Sequence, residues 1–412
     1  MSHSTGVVLL SFQLSPRYPI YYAVSPFSTN HVVSLTQSAS RIEDMSHSVS
    51  EELPRIPPEL IDEIIDHSAS DKPTLATWAR VSHSCATRIR PYLFRNVTLR
   101  ISRLSRFEKI LPTIARHIYR LEIIVDGRAK LHVLHGVNRV LDLLVDSGTD
   151  PRILHLVNVW FVKHGDIGIC SWVPVTRFKH LEELVLKGWK FETFGEFDTL
   201  LHSFPLLSHI ALEDLNAHSR VSALPLGSER YHMNLHHLSV KNISWFARPL
   251  NELLLATAST SQLSILECES DGSPLDRDLL GSQLRASSAS LQSLRIGLYL
   301  TDPAQAEEFV EEFQSRHDLS LCTELLSLQL HMGTTGSARI VPFILSQAEF
   351  DDLDWRNIES ILTRPMFNHL RKATLYFTDS TLSVPESFEM VRLQMPVLDK
   401  RGLVRLAERP FW

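Results

Sequence analysis

Four cysteines in 412 residues is little, and Cys85, Cys170, Cys268 and Cys322 stand far apart with no C-x-x-C pair among them. A disulfide framework or a zinc ribbon needs closer or more numerous thiols. Scattered single cysteines are expected to be small buried apolar side chains in a reducing compartment. Long hydrophobic runs are missing too. No segment approaches the ~18 apolar residues that span a bilayer. The short apolar stretch Gly6 to Leu10 has no basic residue ahead of it and is soon interrupted by Gln13, so it does not read as a signal peptide. Nor is there an excess of positive charge. The formal net charge is −6, and binding nucleic acid by neutralising phosphates needs clustered Lys and Arg. These absences point to a cytoplasmic and/or nuclear chain with neither a membrane nor a nucleic-acid partner.

Catalytic signatures are absent as well. The chain contains no G-x-S-x-G, no G-x-x-x-x-G-K-[ST], no G-x-G-x-x-G and no H-E-x-x-H. Gly333-Thr334-Thr335-Gly336-Ser337 is glycine-spaced, but no Lys follows to reach a phosphate. Among 20 histidines the closest sets are His132 with His135, and His232 with His236 and His237. Zinc takes three or four converging ligands, and adjacent residues such as His236 and His237 point to opposite faces of a strand. The reading is therefore of no enzyme, no cofactor and no metal site. A hydrolase with a triad assembled from distant segments is the remote alternative, and nothing in the spacing argues for it.

What is present begins with length. One compact core rarely grows beyond ~250–300 residues, so this chain is either multidomain or built of repeats. Residues 1–53 are Ser-rich without a sustained period and read as a disordered tail. Met1-Ser2-His3-Ser4 is echoed at Met45-Ser46-His47-Ser48, which leaves the true start codon open. From Ile56 the pattern changes. Pro57 and Pro58 suit a first helical turn, and Glu59, Asp62 and Glu63 sit near the positive end of its dipole. Leu60, Ile61, Ile64 and Ile65 make one apolar helical face. Asp71 and Pro73 start a second helix through Leu75, Trp78, Ala79 and Val81. A third runs through Cys85 and Ile89 until Pro91 stops it, ahead of a strand at Asn96-Val97-Thr98-Leu99. Roughly 45 residues of helix cannot bury a self-sufficient core, so this unit must lean on something else.

Beyond residue 100 the pattern L-x-x-L-x-L, allowing other apolar residues, recurs. It appears as Leu181/Leu184/Leu186, Leu207/Ile210/Leu212, Leu235/Leu238/Val240, Leu263/Leu266/Cys268 and Leu291/Leu294/Ile296. The first positions, 181, 207, 235, 263 and 291, step by 26, 28, 28 and 28 residues. Looser copies stand at Ile118/Leu121/Ile123, Leu154/Val157/Val159, Leu325/Leu328/Leu330 and Leu370/Ala373/Leu375. Leucine-rich repeats have periods of about 20–29 residues. Each short strand turns its leucines inward, a helical stretch returns the chain, and stacking supplies the core that one repeat lacks. Phe194 to Phe204 and Leu250 to Leu255 read as return helices. The expected fold is α/β: a three-helix motif at 54–99, then an irregular leucine-rich-repeat solenoid of parallel strands and return helices over 100–412.

With both halves placed, the sequence resembles the F-box proteins, in particular those of mushroom-forming fungi with leucine-rich-repeat-like C-terminal regions. Ile56-Pro57-Pro58-Glu59-Leu60 matches the opening L-P-x-E-L, and Ile64 and Ile65 match the apolar pair that follows. Leu75 to Ser82 and Arg90-Pro91-Tyr92-Leu93-Phe94, continuing to Val97 and Leu99, match the second half. Met395-Pro396-Val397-Leu398 with Arg401-Gly402-Leu403 resembles the way such chains close. The likeness covers about residues 54 to 412 and is strongest over 56–99. It departs in two places: Arg80 precedes Val81, and Cys85 stands where the family has a tryptophan, while Trp78 brings one earlier.

The resemblance implies a substrate-recognition adaptor of an SCF-type cullin–RING ubiquitin ligase. The F-box would dock a Skp-type adaptor, and the repeats would hold a target protein whose identity stays open. Carried over by position, the adaptor-facing residues are Pro57, Leu60, Ile61, Ile64, Val81 and Leu93, with Ile65 and Trp78 turned inward. On the repeat strands, the positions between and after the leucines would line a concave target-binding face: Glu183, Val185 and Lys187; His209 and Glu213; His237, Ser239 and Lys241; Glu267; Arg295; Gln329; Lys372. A leucine-rich scaffold whose degenerate F-box engages no ligase is the alternative.

Overall fold

Proline and two short acceptor side chains decide where the first helices begin. In the computed structural model, α1 (Pro58–His67) opens on a proline in its first turn with Pro57 as its N-cap. The Asp71 carboxylate caps α2 (Lys72–Trp78), accepting from the Thr74 amide at 3.2 Å and the Thr74 hydroxyl at 2.6 Å. Ser82 Oγ caps α3 (His83–Leu93), accepting from the Cys85 amide at 3.1 Å. Pro91 does not stop this third helix, as the sequence reading has it. It lies in the last turn, where its missing N–H forfeits one bond and the helix still runs to Leu93. Strand β3 (Asn96–Arg100) follows. Further upstream, β1 (Val8–Gln13) and β2 (Pro19–Val24) pair antiparallel inside the segment read as a disordered tail.

The structure describes residues 8–13, 19–24, 56–125, 131–157, 173–191, 193–217, 233–257, 259–270, 274–300, 319–334, 355–377, 389 and 392–407. The remainder of the 1–53 segment, with its Met45 echo, lies outside them, as do Cys170, Val159 and His232. Two units are distinguished: residues Met1–Thr98 with Thr113–Tyr119, and Leu99–Pro112 with Arg120–Trp412.

In the first unit Ile65, Leu75, Cys85 and Ile89 form a small core, each at most 5% exposed. Ile61, Trp78, Ala79, Tyr92 and Leu93 pack against it. The periodicity that makes one face of α1 apolar therefore splits: Ile65 turns in, while Leu60 and Ile64 stay in solvent. Arg88 reaches both Asp66 oxygens (3.1 and 3.0 Å) and ties α3 to α1. With both side chains nearly half exposed, such a pair is worth at most ~1 kcal/mol.

The second unit is α/β. Its strands are β4 (Arg120–Ile124), β5 (Ile153–Val157), β6 (Glu183–Lys187), β7 (Lys190–Phe191), β8 (His209–Glu213), β9 (Asn216–Ala217), β10 (His237–Lys241), β11 (Ile265–Ser270), β12 (Ser293–Leu300), β13 (Ser327–Thr334), β14 (Lys372–Phe377) and β15 (Val404–Ala407). All but β7 and β9 form a sheet of ten parallel strands whose lateral order follows the chain. The separate β7–β9 pair is parallel too. Its helices α4 (Leu104–Ile114), α5 (Leu131–Asp146), α6 (Phe194–His202), α7 (Ser244–Ala256), α8 (Pro274–Ser287), α9 (Trp355–Leu362) and α10 (Pro396–Lys400) are interspersed, with α5 to α10 each between two strands. Among the described residues no helix is long and apolar enough to cross a membrane.

Every apolar member of the five regular motifs is buried, from Leu181 through Ile296, at 3% exposure or less. The register puts Leu184, Ile210, Leu238, Leu266, Leu294 and Leu328 side by side on consecutive strands. One copy needs correction. On β5 the inward pair is Leu154 and Leu156, aligned with Leu184 and Leu186, so Leu154/Val157/Val159 is out of register by three, an odd number. Because side chains alternate with a period of two, that slip exchanges the faces.

Strand ends are set by tight turns. Gly188, Asp214 and Asn242 each follow a strand with φ of 65°, 53° and 49°, a conformation that Gly adopts freely and Asp or Asn more readily than other residues. Their amides donate to Glu213 O (2.8 Å), Lys241 O (2.9 Å) and Glu269 O (3.3 Å) on the next strand. The next residues, Trp189, Leu215 and Ile243, then turn into the core. Beneath β6–β10, the Phe197 ring meets Phe191 and Phe246 edge-on at 5.4 Å, the favoured aromatic geometry.

In α6, buried Asp198 sits 3.1 Å from His202, one turn on. The carboxylate beside it raises the His202 imidazole above its ordinary value, although burial works the other way. A folded-state value above the unfolded one contributes stability below about pH 6.5, lost as pH rises through the raised value. His202→Gln should therefore flatten this part of the pH profile. Urea midpoints measured from acid to mildly alkaline pH would check it, and an unchanged slope would contradict it.

Candidate docking surfaces

On the helical unit the exposed apolar side chains are Ile56 (53% exposed), Leu60 (49%), Ile64 (39%) and Val81 (66%), and Pro57 is exposed with them. Ile61 and Leu93 are only partly exposed and pack on the Ile65/Leu75/Cys85/Ile89 core. The six sequence-assigned adaptor positions therefore divide. Pro57, Leu60, Ile64 and Val81 offer surface, while Ile61 and Leu93 serve the interior. Ile65 is fully buried. Cys85 is buried, and Trp78 packs on the same core. Arg80 is exposed.

In the second unit, Glu183, Lys187, His209, Glu213, His237, Lys241, Glu267, Arg295, Gln329 and Lys372 all stand on the strand face opposite the leucines. The register sorts them into three rows across the sheet. One row holds Glu183, His209 and His237 and ends at Lys372. The middle row is Val185, Ala211, Ser239, Glu267, Arg295 and Gln329. The third is Lys187, Glu213, Lys241 and Glu269.

Charges alternate along the third row and pair. Lys187 Nζ lies 2.7 Å from Glu213, and Lys241 Nζ lies 3.8 Å from Glu213 and 2.6 Å from Glu269. Glu269 is 3% exposed. Beyond it the row meets Gly297, where an added Cβ would fall 2.5 Å from Glu269 Cγ. The glycine leaves the space that this carboxylate's stem fills.

The other two rows are linked through histidines. Arg120, which has only donors, is 3.2 Å from His155 Nδ1, so that nitrogen accepts. His155 Nε2–H then donates to Glu183 Oε1 at 2.8 Å. That hydrogen bond, with burial opposing it, holds the Glu183 carboxyl below the usual range. The His209 and His237 rings meet edge to face, 5.6 Å between centroids. Burial and then the His237 charge push His209 down. Glu267 lies 3.9 Å from His237 and 3.8 Å from Arg295. Burial alone would raise Glu267, but His237 and Arg295 beside it outweigh that, and its carboxyl is lowered.

No protein-family model and no curated protein matches the chain.

Sequence reasoning missed Arg120, His155 and Glu269 on this face. His155 was hidden by the register slip on β5: placing Leu156, not Val157, inward turns His155 onto the polar face. Leu154 and Leu156 stand 30 residues before Leu184 and Leu186, and that spacing was the available signal. Among the described residues no group of three or more His, Cys, Asp or Glu side chains is placed to hold a metal.

Proposed function

We propose that the chain is a substrate-recognition adaptor of an SCF-type cullin–RING ubiquitin ligase. In this reading the helical unit is an F-box that docks a Skp-type adaptor. The parallel sheet is a leucine-rich-repeat-like solenoid that holds a target protein, in the cytoplasm or nucleus. Such a protein performs no bond chemistry. It raises the effective concentration of a target near the ubiquitin-conjugating enzyme.

The observation that carries the reading is the split of apolar residues on the helical unit. Its small core closes on Ile65, Leu75, Cys85 and Ile89 without Leu60, Ile64 or Val81. Those side chains, with Pro57, stand in solvent at the positions where the resembled family meets its adaptor. Exposed apolar groups on a unit this small mark a surface to be covered. The swap of Trp78 for the residue replaced by Cys85 keeps an aromatic ring against the same core. The solenoid reading is supported by a lateral strand order that follows the chain, by the 26–28-residue step, and by single rows of buried leucines.

Co-purification tests the reading. The wild-type chain should bring down a Skp-type adaptor and cullin, and Pro57→Ala with Leu60→Ala should abolish the capture without unfolding the chain. Docking energy concentrates in a few buried anchors. Losing Leu60 as one such anchor should cost at least ~2 kcal/mol, or more than about tenfold in affinity. A wild-type chain that captures neither protein would overturn the proposal and leave the scaffold reading.

A further inference from the structure

We propose that the face carried by β6, β8 and β10 docks a polypeptide segment of no net charge, through an apolar side chain seated over Ala211. This rests on reading the sheet as the target-holding surface, and it names the kind of target segment that surface accepts.

Charge comes first. Along this stretch every described cation already has a carboxylate or imidazole beside it. Lys187 and Lys241 share Glu213, Lys241 also holds Glu269, and Arg295 faces Glu267. Arg120 is held by His155, which in turn holds Glu183. A phosphorylated peptide or a nucleic acid would have to take a lysine from its partner, leaving a half-buried carboxylate uncompensated. Truncating or diverting one member of such a pair costs more than the new contact returns when the other stays out of water. A basic segment meets the mirror-image difficulty at Glu213, Glu267 and Glu269. The complementary partner is neutral.

Relief comes second. Val185, Ala211 and Ser239 align across three neighbouring strands and remain partly exposed. Longer side chains stand on both sides of them: the His209–His237 pair along one, Lys187, Glu213 and Lys241 along the other. With strands ~4.8 Å apart and like-facing residues ~6.6–6.8 Å apart along each strand, the depression has room for one apolar or aromatic side chain. The imidazole rings give it one aromatic wall, and the paired ions on the opposite wall need nothing from the ligand.

Panning random dodecapeptides displayed on phage against the full chain tests this. The expected enrichment is for peptides of near-zero net charge sharing one large apolar residue. Their binding should change less than about twofold between low and high salt, since paired charges offer little long-range attraction to screen. Ala211→Arg should weaken them by about tenfold or more, in line with loss of a central anchor, and Ser239→Lys should do the same should the first variant not fold. Acidic or basic enriched peptides whose binding falls with salt would overturn the inference. So would neutral ones indifferent to both substitutions, or no enrichment at all. Adaptor co-purification is read separately through Leu60 and Pro57, so failure here and failure of the ligase reading are distinguishable.

Discussion

Leu75→Ala should unfold the helical unit. Leu75 is fully buried in a cluster that, among the described residues, has four closed members, Ile65, Leu75, Cys85 and Ile89, and truncating a buried leucine costs about 2–5 kcal/mol. A core this small supplies no more than ~3–5 kcal/mol of net stability by itself, so the loss is comparable to the whole. Read by hydrogen exchange, the amides of α1, α2 and α3 should lose at least about thirtyfold in protection, and adaptor capture should vanish with them. Leu60→Ala should instead leave exchange unchanged while still weakening capture, because Leu60 is 49% exposed and contributes little to the fold. This contrast separates a residue that builds the unit from one that offers it to a partner. Equal protection in Leu75→Ala and the wild type would mean that the four-residue core does not hold the helices.

Gly297→Ala should destabilise the sheet far more than one methyl group suggests. The new Cβ would sit 2.5 Å from Glu269 Cγ and 3.3 Å from its Cβ and Cδ. Glu269 has no easy retreat, being 3% exposed with its carboxylate 2.6 Å from Lys241. Overpacking costs about 1–3 kcal/mol, and losing the partner of a buried charge about 3–5 kcal/mol. The expected outcome is a fall in Tm of roughly 5 °C or more, taking about 2–4 °C per kcal/mol for a unit of this size. Adding Glu269→Ala removes the clash, so the double variant should be less damaged than the two single effects summed. A Gly297→Ala protein that melts with the wild type would show that Glu269 moves freely and that the row of paired charges is not fixed.

Much of this architecture was legible because its signals are periodic. The step between Leu181 and Leu291 places five strands correctly, and every leucine of those motifs is buried. Prolines and Asp71 marked the starts of α1 and α2, while the Ser82 cap of α3 is a signal the reading did not use. Where the periodic signal weakened, the reading slipped. On β5, a choice between Leu156 and Val157 as the inward residue exchanged the two faces, and His155 went unseen. Pro91 was given more stopping power than a proline in a last turn has. The left-handed turns at Gly188, Asp214 and Asn242 carry a Gly/Asp/Asn signature at matching offsets from the leucines, and it was present but unread. Pairing was out of reach for a different reason. That Lys241 binds Glu269 and Glu213, and that Gly297 makes room for Glu269, depends on lateral register between strands 28 residues apart. A single sequence does not contain which neighbour a given side chain leans toward.

Titration calorimetry of the full chain with a purified Skp-type adaptor tests the central claim most directly. Saturable, equimolar binding is expected, weakened by more than about tenfold in Pro57→Ala with Leu60→Ala, while α1 to α3 keep their protection from exchange. A wild-type chain whose helices are protected and which yet releases no heat of binding with the adaptor would contradict it.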